Sequence, residues 1–275
     1  MNLLVVLPTY NERPNLERVA GLILQHDFAR LLVVDDASPD GTGEIADSLA
    51  RQTNGRVEVL HRTGPRGLGV AYIDGLRHAI ASGADAIGQM DADLSHDPAY
   101  LPDLLRALDT HDLAIGSRYL HGVSVVNWPL HRIMLSAFAN RYIRFVTGLQ
   151  PSDCTSGFRL WRRDALAKVP FENAGANGYA FLTEMLFQAS RVGCRIGEVP
   201  IVFVERQEGY SKVSSAVLTE SLLTPWRLVA RYGRLKATDS TSNTAPTSTP
   251  PFVPGADVWA ALRAARAEAS SRATE

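Results

Sequence analysis

The chain has 275 residues, 45% of them hydrophobic and 21% charged, with a formal net charge of -1; that is a globular composition with enough apolar side chains for a large core. A near-neutral balance excludes a general nucleic-acid binder, which needs a strong basic excess. The two cysteines, Cys154 and Cys194, fall in no CxxC pattern, so zinc and redox chemistry have no support and a reduced, cytoplasmic chain is expected.

Met1–Leu7 has no basic leader segment and runs into Pro8, so it reads as a first strand and not as a signal peptide. Short apolar runs at Leu3–Leu7, Leu31–Asp35, Val57–Leu60, Asp85–Met90 and Leu113–Ile115 predict buried strands. Between them, Pro14–Gln25, Val70–Ala81 and the segment from Asp97-Pro98 to Leu108 carry helical spacing. Strands that alternate with helices predict a mostly parallel sheet. In the second half, Leu130–Thr147, Gly178–Arg191 and Val213–Tyr232 read as helices and Ile196–Val204 as a strand. The stretch 1–236 is expected to form one domain. A Ser/Thr/Pro-rich, disordered linker is expected over 237–255, and a short helical or disordered tail over 256–275. The most apolar stretch, Val213 to Ala230, is interrupted by Glu220, Pro225 and Arg227. It falls short of the roughly eighteen uninterrupted apolar residues of a spanning helix, so any membrane role is expected to be peripheral.

Ligands of such sheets bind beyond the carboxyl ends of the strands, and four of these ends carry polar groups: Pro8-Thr9-Tyr10-Asn11-Glu12, Asp35-Asp36, Asp91-Ala92-Asp93 and Gly116-Ser117-Arg118-Tyr119. Two carboxylates separated by one residue on an extended segment point the same way and suit a hard divalent cation. Alone, Asp91-x-Asp93 is equally a strand end with two solvated aspartates; beside three other polar ends it points to a metal that neutralises a departing diphosphate. Asp36 stands where an acidic residue bonds a ribose or base, while Ser38-Pro39-Asp40-Gly41 makes a turn. Gly41-Thr42-Gly43-Glu44-Ile45-Ala46 matches a dinucleotide fingerprint, but it follows the second strand and an acidic loop, which argues against NAD or FAD. The basic, glycine-rich stretch Arg62–Gly69 is either a phosphate approach or a close-packed turn. His96 is expected at a helix entry beside Asp97-Pro98, with a place near the metal as the alternative.

The ordered set Leu7-Pro8-Thr9-Tyr10-Asn11-Glu12, Val33-Val34-Asp35-Asp36, Gly67-Leu68-Gly69-x-Ala71-Tyr72, Met90-Asp91-Ala92-Asp93-Leu94-Ser95-His96, Gly116-Ser117-Arg118-Tyr119, Thr155-Ser156-Gly157-Phe158-Arg159 and Glu198-Val199-Pro200-Ile201 resembles the polyprenol-phosphate (dolichol-phosphate) mannosyltransferases, inverting family 2 glycosyltransferases of the GT-A fold. The resemblance covers about residues 3–232. It implies Pro8, Tyr10, Glu12, Val34 and Asp36 at the guanosine of GDP-mannose, and Asp91 and Asp93 as ligands of Mg²⁺ or Mn²⁺, with Ala92 touching the donor. Ser95 falls where some members supply a third ligand. Arg118, Arg132 and Ser136 match residues that receive the acceptor phosphate; Arg206 and Lys212 match residues that clamp the donor diphosphate. Asp93, Arg118, Arg206 and Lys212 are the implied catalytic set.

The chain resembles the soluble subgroup, expected at the cytoplasmic face of a membrane, with Leu130–Thr147 and Val213–Tyr232 as amphipathic helices that could meet lipid. The alternatives are another donor such as UDP-glucose, or a non-catalytic nucleotide-sugar-binding partner of a membrane protein. Asp93→Ala is expected to remove transfer and leave the fold intact, because a solvent-facing rim is expected at that position.

Overall fold

The computed structural model describes residues 1–173, 179–204 and 215–236. All lie in the first of two units into which the chain divides, Met1–Asn243 and Thr244–Glu275. The expected linker and tail lie outside the described residues.

The first half follows the predicted alternation. Strand β1 (Leu3–Thr9) leads to α1 (Arg13–Leu24), whose first turn holds Pro14, where a missing N–H costs nothing. Strand β2 (Ala29–Asp35) is followed by α2 (Thr42–Gln52), a helix absent from the expected elements because its glycine-rich start reads as loop. Gly41, at φ 90°, takes the left-handed turn that starts it, and Asp40 accepts hydrogen bonds from Thr42 N (3.0 Å) and Thr42 Oγ1 (2.6 Å). Then come β3 (Val57–His61), α3 (Leu68–Ala81), β4 (Ala86–Gln89), a 3-10 turn at Pro98–Tyr100, α4 (Leu101–Ala107) and β5 (Leu113–Ser117). The second half adds β6 (Val125–Val126), α5 (Leu130–Thr147), β7 (Arg159–Arg162), α6 (Arg163–Leu166), α7 (Tyr179–Arg191), β8 (Ile196–Pro200), β9 (Phe203–Val204) and α8 (Ser215–Tyr232).

Seven strands form one sheet in the order β3-β2-β1-β4-β7-β5-β8, all parallel except β7, which runs antiparallel to β4 and β5. This is the expected mixed, mostly parallel sheet. Both faces are covered, as a parallel sheet requires. Along β1, Leu4 and Val6 join one apolar layer with α3 and α7, while Leu3, Val5 and Leu7 join the other with α1 and α4. Gly75 lets α3 lie directly on the sheet; a Cβ there would meet Val6 Cγ1 at 2.5 Å and Val34 Cγ2 at 2.8 Å.

Two expectations need correction. Ile196–Val204 is not one strand: β5 ends at Ser117, so β8 loses its partner after Pro200, Val202 N donates to Tyr100 Oη, and β9 pairs with β6 in a separate two-stranded sheet. Strand β7 was not expected at all, because Arg-Leu-Trp-Arg lacks an apolar run. Its Arg159 is nevertheless fully buried and donates to Ser156 O (2.8 Å), Leu182 O (2.8 Å) and Cys154 O (3.2 Å). Burial pushes this guanidinium down to about 10, still charged at neutral pH. Arg159→Leu leaves three buried carbonyls without their donor. It is expected to cost about 3 kcal/mol or more, read as a lower urea midpoint at unchanged slope.

Candidate active site

The carboxyl ends of β1, β2, β4 and β5 meet along one edge. Three non-glycine residues just beyond these ends sit in the left-handed region: Asn11 (φ 58°), Ala37 (φ 54°) and Leu94 (φ 61°). For Leu94 this conformation is strained, and such strain persists where surrounding contacts fix a functional turn.

On the β1–β2 side, Asp36 N donates to Thr9 O (3.0 Å), while Asp36 Oδ2 accepts from Gly67 N (2.8 Å) and Oδ1 from Arg62. Arg62 is buried and also binds Asp74 (2.8 Å) and Pro65 O (3.1 Å). Within Arg62–Gly69, Arg62 serves as counter-ion to Asp36, while Thr63, Gly64, Pro65 and Arg66 are exposed. Arg66 donates to Tyr10 Oη and lies over its ring at 5.1 Å. Glu12 accepts from Asn15 Nδ2 (2.9 Å), and its N–H donates to Thr42 Oγ1 (3.0 Å), which ties α1 to α2. Pro8 pairs with Val34 beyond the end of β4, so its missing N–H breaks no ladder bond. The side chains of Val34 and Ala92 are in the core. Any contact they make with a ligand at this rim falls to the main chain.

The β4 end carries the two carboxylates in different settings. Asp91 has a side chain 34% exposed; its N–H donates to His96 Nδ1 (3.1 Å), and its Oδ1 accepts from Tyr72 Oη (3.3 Å). Asp93 is only 6% exposed and accepts from both Ser95 N (3.1 Å) and Ser95 Oγ (2.5 Å). The expected solvent-facing Asp93 is therefore wrong; Asp91 faces outward and Asp93 is buried in its own turn. The Ser95 hydroxyl is turned onto Asp93, so it braces that carboxylate.

His96 is buried, stacked on Phe158 at 5.2 Å. Burial lowers its pKa, and Nδ1 is an acceptor, so the neutral ring carries its proton on Nε2. Asp97, not His96, caps the helix entry, through Ala99 N (2.9 Å). Burial likewise raises Tyr72 well above its usual range, which keeps it a donor toward Asp91.

The pair fits a hard cation. Its donors are carboxylate oxygens, and Gly157 leaves room at Asp91, since a Cβ there would stand 3.5 Å from both oxygens. Among the described residues no group of three His, Cys, Asp or Glu side chains converges.

At the β5 end, Arg118 is buried and bidentate to Asp153, with Nε and Nη2 each at 2.7 Å and Nη2 also 2.8 Å from Thr155 Oγ1. Asp153 was missed in the sequence, where a lone aspartate outside the rim motifs carries no signal. Burial alone would raise its pKa, but the Arg118 ion pair and hydrogen bonds outweigh that and hold it below the usual carboxylate range. Glu198 of β8 accepts from Ser152 N (2.8 Å), Ser152 Oγ (2.6 Å) and Asp153 N (3.1 Å). Asn140 of α5 accepts from Cys154 N (2.7 Å) and donates to Ser136 O (3.0 Å). This network joins Arg118 to the α5 turn where Ser136 Oγ accepts from Tyr119 Oη (2.7 Å). Arg132, one turn earlier on α5, lies 4.2 Å from the centre of the Trp128 ring. Arg206 and Lys212 lie outside the described residues.

The rim thus divides into an acidic pocket at β4 and a basic bank on β5 and α5, on a sheet of the GT-A type. Solved structures share that architecture. Glucosyl-3-phosphoglycerate synthase from Mycobacterium tuberculosis, with phosphoglyceric acid, superposes with a TM-score of 0.57 at 21% identity, covering 86% of this chain and 81% of that one. Its complex with Mn²⁺, UDP and glucosyl-3-phosphoglycerate gives 0.55 over the same shares, also at 21% identity. At this identity the likeness shows a shared fold.

Residues 4–169 match the model of glycosyl transferase family 2, and the chain belongs to that family. Undecaprenyl-phosphate mannosyltransferase of Micrococcus luteus is 45% identical over 240 residues, spanning 86% of this chain and 98% of that protein. Polyprenol monophosphomannose synthase of Mycolicibacterium smegmatis is 43% identical over 238 residues, 85% and 89% of the two chains. The motif order in the sequence pointed to this same group of enzymes.

Proposed function

We propose that the protein transfers mannose from GDP-mannose to a polyprenyl phosphate, giving polyprenyl phosphate mannose and GDP, with Asp91 and Asp93 holding Mg²⁺ or Mn²⁺. The observation that carries this reading is the near full-length similarity to the undecaprenyl-phosphate mannosyltransferase and the polyprenol monophosphomannose synthase.

The acceptor phosphate has a second pKa near about 6 and is largely ionised at neutral pH. No side chain need take a proton from it, and His96, buried and engaged with Asp91 N–H, is placed to hold the loop and not to act as a base. Arg118, Arg132 and Ser136 orient the phosphate, and Asp153 holds Arg118 in position. Pro8, Tyr10, Glu12 and Asp36 line the nucleoside side, with Val34 and Ala92 contributing main chain. Arg206 and Lys212 meet the donor diphosphate. A bound divalent ion supplies charge neutralisation of the leaving diphosphate. Attack in line with the departing GDP inverts the anomeric centre. The deciding experiment is a donor panel, GDP-mannose against UDP-glucose, each with a short-chain prenyl phosphate and with or without EDTA. Product from GDP-mannose alone, abolished by EDTA, is expected; equal turnover in EDTA or preference for UDP-glucose overturns the assignment.

A lipid acceptor places the reaction at a membrane surface, and we assign the protein to its cytoplasmic face. No helix among the described residues is long and apolar enough to cross a membrane. Instead α5 exposes Leu130, Met134, Leu135, Phe138 and Phe145, and α8 exposes Leu222, Leu223 and Trp226. On α5 these residues lie opposite the buried Asn140, Ile143 and Val146. Tyr142 Oη donates to Leu222 O (2.7 Å), so the two helices are held side by side. Exposed Arg141, Arg144, Arg227 and Arg231 flank the apolar residues, which suits anionic headgroups. Leu135→Glu with Phe138→Glu is expected to weaken co-sedimentation with anionic vesicles more than tenfold, since each buried side chain contributes about 1.5–3 kcal/mol. Turnover of a short-chain acceptor in detergent stays within about twofold of the native enzyme.

A further inference from the structure

Among the described residues, one buried side-chain donor lacks a partner: the indole N–H of Trp128. Buried donors are almost always satisfied, and an exception in a native fold calls for a missing acceptor. Asn127 is left-handed at φ 64°, and Pro129 caps α5 immediately after.

The surroundings of the ring say what kind of acceptor is missing. Arg132 lies over it at 4.2 Å and Arg118 at 5.7 Å, while Phe203 meets it edge-on at 5.4 Å. Phe203 in turn stands 5.7 Å from His96, the ring that takes the Asp91 N–H. The indole therefore lies near both arginines of the basic bank, two aromatic contacts from the Asp91 turn. Arg118 is paired with Asp153, and the proposed function brings the acceptor phosphate to Arg118 and Arg132, beside this N–H.

We propose that Trp128 is an acceptor-binding residue whose indole N–H is taken up by a phosphate oxygen drawn between Arg118 and Arg132. This rests on the prenyl phosphate reading above and adds a neutral donor to its cations. The neutral donor fixes orientation, whereas the cations supply attraction. Neither the strand-end motifs nor the ordered family pattern includes Trp128.

Trp128→Phe tests it, because an aromatic ring near Arg132 remains while the N–H goes. The KM for a short-chain prenyl phosphate is expected to rise about tenfold, the effect of one hydrogen bond to a charged group. The KM for GDP-mannose stays unchanged, and the thermal midpoint holds or rises because an unsatisfied donor has been removed. A purely structural role predicts the reverse, a lower midpoint with an unchanged acceptor KM. In ¹⁵N-indole spectra of the native protein, the cross-peak missing from Trp128→Phe is expected to shift with prenyl phosphate and not with the uncharged prenol. An acceptor KM within twofold of native, or a stationary cross-peak while the native enzyme turns over, overturns the assignment of Trp128 alone. Failure of the native enzyme to use prenyl phosphate removes both this assignment and the function on which it rests.

Discussion

Asparagine in place of Asp91 or Asp93 is expected to lower sugar transfer by about a thousandfold or more, the scale of losing charge stabilisation in a transition state. The two positions differ in what else they support. Asp91 is outward-facing, and its main-chain N–H, which asparagine keeps, donates to His96. Asp91→Asn therefore keeps the native thermal midpoint. Asp93→Asn retains an oxygen that can accept from Ser95 N and Oγ, whereas Asp93→Ala strands both donors inside a turn already strained at Leu94. The alanine variant is expected to lose about 1–3 kcal/mol of stability in addition to activity, contrary to the sequence-based expectation of an intact fold. Single-turnover transfer at saturating metal, alongside thermal unfolding, separates the two effects. Activity of Asp91→Asn within tenfold of native would sink the metal-site assignment.

Arg118→Ala is expected to lose about 3–5 kcal/mol of stability, because it leaves Asp153 as a buried charge without its partner. Its loss of activity would then mix a missing phosphate contact with a collapsed loop. The double variant Arg118→Met, Asp153→Leu removes both charges; most of the stability is expected to return while transfer stays abolished. The pH dependence gives a second reading. Asp153 has its folded pKa depressed below 3.8, so its contribution is complete above that value and drains away as acid reaches the folded pKa. The stability gap between native protein and the double variant should therefore be constant near neutrality and shift only below about pH 4. A gap that changes between pH 5 and 7 would show that another group governs Arg118.

Much of the scaffold was legible without coordinates. Leu3–Leu7 and Leu31–Val34 are apolar on both faces, and that continuity marks strands buried between helices. The carboxyl-end rule then placed four polar loops on one rim before any contact was known. Helix α2 was hidden because Gly41-Thr42-Gly43 reads as loop until Asp40 is seen accepting from the first helical residue. Strand β7 was hidden because its end residues are arginines. Arg159 is tolerated there only because three carbonyls, from Ser156, Leu182 and Cys154, converge on it.

The site shows the same division. Local sequence alone determined the chemistry on offer: two carboxylates one residue apart after an apolar strand, and arginines after another, because residue type and strand periodicity are local properties. Which charges are already answered within the protein was decided by tertiary structure. Arg62 is consumed by Asp36 and Asp74, Arg118 is held by Asp153, 35 residues away, and Asp93 is braced inward while Asp91 faces out. Trp128 belongs to the second class as well: its meeting with Arg118 and Phe203 depends on β9 leaving the main sheet to pair with β6. Pairings between distant segments depend on how the whole sheet is ordered, and no short stretch of residues encodes that order.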